Sequence, residues 1–273
     1  MTGEEATAPE PKPGDLGDRA AELAANLAAV EERLAAACAA AGRPREEVTL
    51  IVVTKTYPAS DVRLLAELGV RHVAENKVQE AAPKAEACAD LPLTWHFVGQ
   101  LQTNKARAVA EFCDYVHSVD RLRLVRALST AAERRDRELR CLLQVALDKE
   151  PAEPAEPAGP AGPDAVGAPA GAATARGGLA PADVPDLAGA VTAAPGLSLA
   201  GVMTVAPLTG RYAANPRAAF ERLREISSGL RRADAAANMV SAGMSSDLEE
   251  AVAAGATHVR VGTAVLGVRP RLG

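Results

Sequence analysis

Short runs of β-branched and aliphatic residues alternate with longer stretches whose apolar positions recur every three or four residues. The first stretch is helical: Leu16, Leu23, Leu27, Val30, Leu34 and Cys38 fall along one helix face, and Gly42 and Pro44 close it. Eight strand-like runs follow, at Thr49–Thr54, His72–Glu75, Trp95–Gly99, Tyr115–Ser118, Arg140–Leu147, Leu199–Val205, Met239–Ser241 and His258–Gly262. Helical patterns separate them at 59–68, 77–88, 104–112, 121–137, 184–193, 216–233 and 245–254. Repeated strand-then-helix order predicts a parallel sheet jacketed by helices. Eight such units favour closure into a single (β/α)8 TIM barrel with an extra N-terminal helix. The alternative is an open doubly wound sheet, but the first strand lacks the GxGxxG turn of its dinucleotide-binding version.

Two segments break the pattern. Residues 151–182 contain 12 Ala, 7 Pro and 6 Gly, with one Leu, one Val and no aromatic residue. Such a segment buries too little apolar surface to offset its chain entropy, and reads as a flexible insertion in the barrel. Residues 1–15, acidic and Pro-rich, read as a disordered tail, leaving 16–273 as the barrel domain. The tail has no apolar core of a secretory signal. No run of about 18 apolar residues suggests a membrane span.

Charge and cysteine content narrow the function classes. With 30 Lys+Arg against 35 Asp+Glu, the net charge is −5, which offers no electrostatic footprint for nucleic acid or an anionic membrane. Cys38, Cys88, Cys113 and Cys141 are widely spaced without a CxxC pair, as expected of buried apolar residues in a reducing cytoplasm. His72, His96, His117 and His258 show neither HxH nor HExxH spacing, so no metal site is expected.

In a barrel the chemistry lies at the C-terminal ends of the strands. Lys55 is the foremost candidate there: six lysines stand against 24 arginines, and Lys55 alone directly follows a strand run. A partly buried amine can attack a carbonyl and form a Schiff base, although an ion-paired rim lysine would look the same. Glu75-Asn76, His96, Gly99-Gln100 and Met203-Thr204 occupy the next strand ends, Met203 being as suited to core packing as to a pocket wall. Ser241-Ala-Gly-Met-Ser245 after strand seven and Gly262-Thr263 after strand eight resemble paired anion-binding turns, though a plain helix N-cap and a tight turn would read alike. Strand alternation puts Arg260 and Gly262 on one face.

The motifs VVTKTYP, HVAENKVQEAAPK, WHFVGQLQTNKAR, GVMTVAP and SAGMSSDLEEAVAAGATHVRVGTAVLG, in this order, resemble the pyridoxal phosphate homeostasis proteins of the YggS/PROSC type. The resemblance covers about 49–147 and 183–269. It implies a barrel like the N-terminal domain of alanine racemase, with pyridoxal 5′-phosphate (PLP) held as a Schiff base on Lys55. It places Asn76 beside the ring, Arg260 at the pyridine nitrogen, and Ser241, Ser245, Gly262 and Thr263 at the phosphate. The family binds and buffers the cofactor without established turnover, which implies a cytoplasmic, monomeric carrier whose partners are PLP and, beyond it, free amino acids or apo PLP-enzymes. Ala146 stands where the family commonly has Asn, and Arg176-Gly177-Gly178 resembles its basic-Gly element.

Two enzymatic alternatives remain open. An amino-acid racemase or related PLP enzyme would need a second base. The 11 residues after Gly262 leave no room for the domain that supplies one in alanine racemase. A Schiff-base aldolase would instead use Lys55 directly on a phosphorylated substrate.

Overall fold

The computed structural model describes residues 15–135, 137–150 and 177–267. Its eight strands are β1 (Thr49–Val53), β2 (His72–Glu75), β3 (Thr94–Phe97), β4 (Tyr115–Val119), β5 (Leu139–Gln144), β6 (Leu197–Met203), β7 (Met239–Ser241) and β8 (His258–Val261). All pair in parallel, each with the next in sequence, and β1 pairs with β8 to close the barrel. The helices are α1 (Asp15–Ala40), α2 (Ala59–Glu67), α3 (Val78–Ala87), α4 (Ala106–Phe112), α5 (Leu122–Glu133), α6 (Val184–Thr192), α7 (Pro216–Ala233), α8 (Leu248–Ala253) and α9 (Thr263–Leu266). Every expected strand and helix is present, and α9 is additional.

The differences lie at boundaries. α8 begins at Leu248 instead of 245, because Asp247 accepts the Met244 N–H and folds 244–247 into a turn. α5 ends at Glu133, before its polar continuation. Of the disordered tail expected at 1–15 and the flexible insertion expected at 151–182, residues 1–14 and 151–176 fall outside the described residues, Arg176 among them, while Asp15 already begins α1. The expected boundary at 182 is too late. Leu179 is buried and bridges Val145, and Pro181–Asp183 forms a 3-10 turn leading into α6. Gly177 and Gly178 are therefore part of the barrel wall, tied by Gln144 Nε2 to the Gly177 carbonyl and by the Gly178 N–H to Asp120.

Apolar side chains pointing outward from the strands meet the helices in two large clusters. Phe97, Val116, Leu143 and Val202 pack under α4 to α7, and Val52, Val73, Val259 and Val261 under α1 to α3 and α8. Inside the barrel, among the described residues, Leu142, Ala200, Met203 and Met239 form a small apolar cluster. Much of the remaining interior is polar, with His96, His117, Ser241 and Arg260 buried there beside Ile51 and Ala74, which is unusual where branched aliphatics ordinarily fill the layers.

α1 does more than cover the barrel. Leu23, Val30, Leu34 and Cys38 bury one face, and Gly42, at φ 65°, ends the helix with a left-handed turn. Its polar residues reach the loops after β7 and β8. Arg33 donates to the Ser245 carbonyl, Asn26 to the Val265 carbonyl and Arg19 to the Leu266 carbonyl.

Candidate functional site at the C-terminal mouth

The strand ends bring Lys55, Asn76, the loop 242–247 and the turn Gly262-Thr263 to one mouth of the barrel. Lys55 lies in an exposed turn two residues past β1, and makes no hydrogen bond or ion pair among the described residues. Thr56 beside it has φ 69°, a strained value for a β-branched residue. Its N–H donates to Glu80 on α3, which also pairs with Lys77.

Behind this turn sits a buried pair that sequence reading missed. Lys84, on α3, donates to Glu75 Oε1 at 2.5 Å and to the Thr54 carbonyl at 2.8 Å. Thr54 Oγ1 donates to the same carboxylate oxygen at 2.6 Å. Burial, the larger effect, pushes the Glu75 carboxyl up, against the pull of Lys84 and Thr54. Through the Thr54 carbonyl, Lys84 fixes the backbone immediately before Lys55.

Asn76 is half-buried, and its Oδ1 is shielded from solvent with no hydrogen-bond partner among the described residues. Gly99 explains its placement. A Cβ there would lie 2.0 Å from the Asn76 carbonyl oxygen, so only glycine lets the end of β3 press against it.

Arg260 is 4% exposed, in the barrel interior below the mouth. Nη1 donates to Ser241 Oγ at 2.6 Å and Nη2 to the Thr204 carbonyl at 2.8 Å. No carboxylate pairs with it among the described residues, and burial lowers its pKa to about 10, leaving it cationic at neutral pH. Ser241 does not join Ser245 in the loop. Alternation along β7 turns it inward, and its hydroxyl meets Arg260 and His117. Met203 likewise packs in the interior, with Leu142 and Met239.

The loop after β7 runs on along β8: the Arg260 N–H donates to the Gly243 carbonyl and the Ala242 N–H to the His258 carbonyl. Gly243 has φ 87°, and a Cβ there would lie 2.5 Å from that of Ala251, so the loop passes tightly over α8. Ser245 is half-buried and Thr263 exposed; the Thr263 and Ala264 amides at the start of α9 have no helical acceptor, while those of Val265 and Leu266 donate to the Gly262 carbonyl. Ala146 packs against Gly178, where a Cβ on the glycine would come within 2.9 Å of the Ala146 Cβ. A cavity of about 340 Å³ opens beside it, lined by Gln144, Asp148, Gly177 and Pro207 among others.

The four histidines, apart in sequence, converge inside the barrel. His72 Nδ1 lies 3.0 Å from His96 Nε2, and His96 Nδ1 lies 2.8 Å from His117 Nε2. His117 Nδ1 lies 3.0 Å from Ser241 Oγ. His96 thus sits deep in the interior rather than at the rim. Burial pushes all four imidazoles below their usual range, His258 to about 4. The signal was present in the sequence: each histidine occupies an inward position of a strand run.

A family model described as alanine racemase, N-terminal domain, matches residues 25–150 and 170–270. The pyridoxal phosphate homeostasis protein of Mycobacterium leprae is 38% identical over 269 residues, spanning 92% of this chain and 94% of its own length. That of Pseudomonas aeruginosa is 40% identical over 247 residues, spanning 90% and 96%. The chain belongs to the pyridoxal phosphate homeostasis protein family. Among solved structures similar to this family member is PipY of Synechococcus elongatus with PLP bound. It is 32% identical, with a TM-score of 0.67, covering 90% of this chain and all of PipY. Alanine racemase from Corynebacterium glutamicum, at 16% identity and a TM-score of 0.57, shares the fold of this chain. No described helix is long and apolar enough to cross a membrane.

Proposed function

We propose that this chain binds pyridoxal 5′-phosphate at the C-terminal mouth and holds it as a carrier in cellular PLP homeostasis. The observation that carries the reading is Arg260, a buried cation without a carboxylate partner among the described residues, below a mouth that presents Lys55. When bound, the cofactor supplies an aldehyde that a lysine amine can hold covalently and a ring that can draw electrons from the attached group. The residues at the mouth fit it. Lys55 is an exposed amine, Asn76 Oδ1 is buried with no partner among the described residues, and the turns of Ser245 and Gly262-Thr263, after neighbouring strands, offer small residues and backbone amides to a phosphate. Met203 supports the interior below, and Ser241 acts through Arg260.

Arg260 also argues for holding over turnover. A guanidinium donates hydrogen bonds and does not yield its proton at neutral pH, so it leaves a pyridine nitrogen neutral. Strong electron withdrawal needs that nitrogen protonated, ordinarily opposite a carboxylate. The Glu75 carboxylate lies behind the wall, engaged with Lys84. The same site could pass the cofactor to free amino acids or apo PLP-enzymes, with the protein acting as a monomer in the cytoplasm.

The test is borohydride reduction of the protein incubated with PLP, followed by peptide mass mapping. The cofactor mass is expected on the peptide containing Lys55, and Lys55→Ala should remove both the label and the yellow colour while the protein stays folded. A label on Lys77, Lys84 or Lys105 in place of Lys55 would refute the assignment.

A further inference from the structure

Arginine has only donors, so Ser241 Oγ accepts from Arg260 Nη1, and the hydroxyl proton must point elsewhere. His117 Nδ1, at 3.0 Å, is positioned to receive it. His117 then carries its proton on Nε2 and donates to His96 Nδ1, and His96 in turn donates from Nε2 to His72 Nδ1. In this orientation every bare nitrogen faces the guanidinium. The reverse orientation would have Ser241 accept from both neighbours, leave its own proton without that acceptor, and aim three N–H dipoles at a buried cation.

We propose that His72, His96 and His117 form a neutral, one-directional hydrogen-bond row that keeps the Ser241 lone pair turned toward Arg260 and so positions the guanidinium for the ring nitrogen of bound PLP. The proposal rests on the binding site proposed above. The three histidines are positioning residues: none touches Arg260 directly. Its second grip is the Thr204 carbonyl, and Thr204 is itself fixed by its hydroxyl on the Val145 carbonyl.

The groups facing the row keep it neutral. β8 contributes Arg260 and His258. β4 contributes Tyr115, stacked on His96 at 4.7 Å, with Arg140 of β5 over the Tyr115 ring. The opposing charge is Asp114, which acts on His72 at the far end. A proton on His96 or His117 would place a second cation in the buried interior beside Arg260, and burial pushes both imidazoles well below their usual range.

The deciding experiment is nitrogen–proton correlation NMR of the histidine side chains in the cofactor-free protein at pH 7. His117, His96 and His72 are expected with the proton on Nε2 and a bare Nδ1. A proton on Nδ1 of His117 or His96, or a cationic ring at either, would overturn the row.

A second arm reads its consequence. His117→Phe keeps a ring of similar shape but removes the acceptor, and should weaken PLP binding about tenfold, the loss of one neutral hydrogen bond, and shift the cofactor absorption band. His117→Asn, whose Oδ1 can accept from Ser241, should restore both to within about twofold. If His117→Phe matches the wild type in affinity and band, the row only packs the barrel and the proposal fails. Borohydride labelling of the wild type, run in parallel, separates the two readings. A label away from Lys55 removes the cofactor site, and the tautomers then decide the row by themselves.

Discussion

Glu75 and His96 belong to neighbouring strands, both fully shielded from solvent, and face opposite sides of the barrel wall. Glu75 points outward, where Lys84 and Thr54 meet its charge. His96 points inward, where two other imidazoles and the Tyr115 ring surround it and no carboxylate is within bonding distance among the described residues. The wall separates two answers to the same problem of burying polar groups. Outside, charge is retained and paired; inside, beside Arg260, the imidazoles stay neutral and satisfy one another in series. The paired answer makes each partner indispensable to the other. The serial answer divides the load over several weak links and leaves Arg260 as the one cation bonded into the chain.

The largest expected effect comes from breaking the pair. Lys84→Met leaves Glu75 buried without its cation and should cost about 3–5 kcal/mol in chemical denaturation. Removing both charges, in Glu75→Leu with Lys84→Met, should recover most of that loss. If the single and double variants lose the same stability, the pair is not what the wall depends on.

Acid should act on the inner system next. An imidazole whose folded pKa is depressed leaves the unfolded chain binding more protons, so stability falls as pH drops from about 6.5 toward the folded value. For His258, lowered from 6.5 to about 4, the loss across that window is about 2–3 kcal/mol. His258→Phe should flatten the pH dependence of the denaturation midpoint. Glu75, pushed upward on folding, contributes the opposite slope, losing stability as pH rises through its folded value, and is common to both proteins, so their difference isolates the histidine. Equal slopes would mean that His258 is protonated in the fold.

The smallest effect belongs to the open end of the row. His72 is half-buried, and Asn in its place can still accept the His96 proton, so His72→Asn should cost under about 1 kcal/mol. A loss as large as that of Lys84→Met would erase the distinction between paired and serial burial.

The barrel was legible because the strand runs are short and each is followed by a periodic helix, as at Thr49–Val53 before Ala59–Glu67. Lys55, Asn76, Arg260 and Gly262 could be placed from strand ends and alternation alone. Ser241 could not, because its partners come from β4 and β8, and only barrel closure shows that its hydroxyl lies between His117 and Arg260. Lys84 was hidden for a related reason. On α3 its spacing resembles that of a surface lysine, and nothing local reveals that Glu75 faces it across the wall. The 151–182 boundary erred because Gly177 and Gly178 share the composition of the segment before them, while their backbone is fixed by Gln144 and Asp120.

The clasp of α1 on the loops after β7 and β8 has a consequence for assembly. The bonds from Arg33 to Ser245, Asn26 to Val265 and Arg19 to Leu266 span 212, 239 and 247 positions of sequence. During synthesis the chain extends in one direction, so α1 emerges among the first elements and its acceptors among the last. The strand pairing that closes the barrel, β1 with β8, has the same late partner. Contacts of such range form late and slowly, since the whole intervening chain must be brought into place before they can hold. The mouth of the barrel is therefore the last part of the molecule to be fastened, and a nascent chain without residues 245–266 lacks the clasp that sets its geometry.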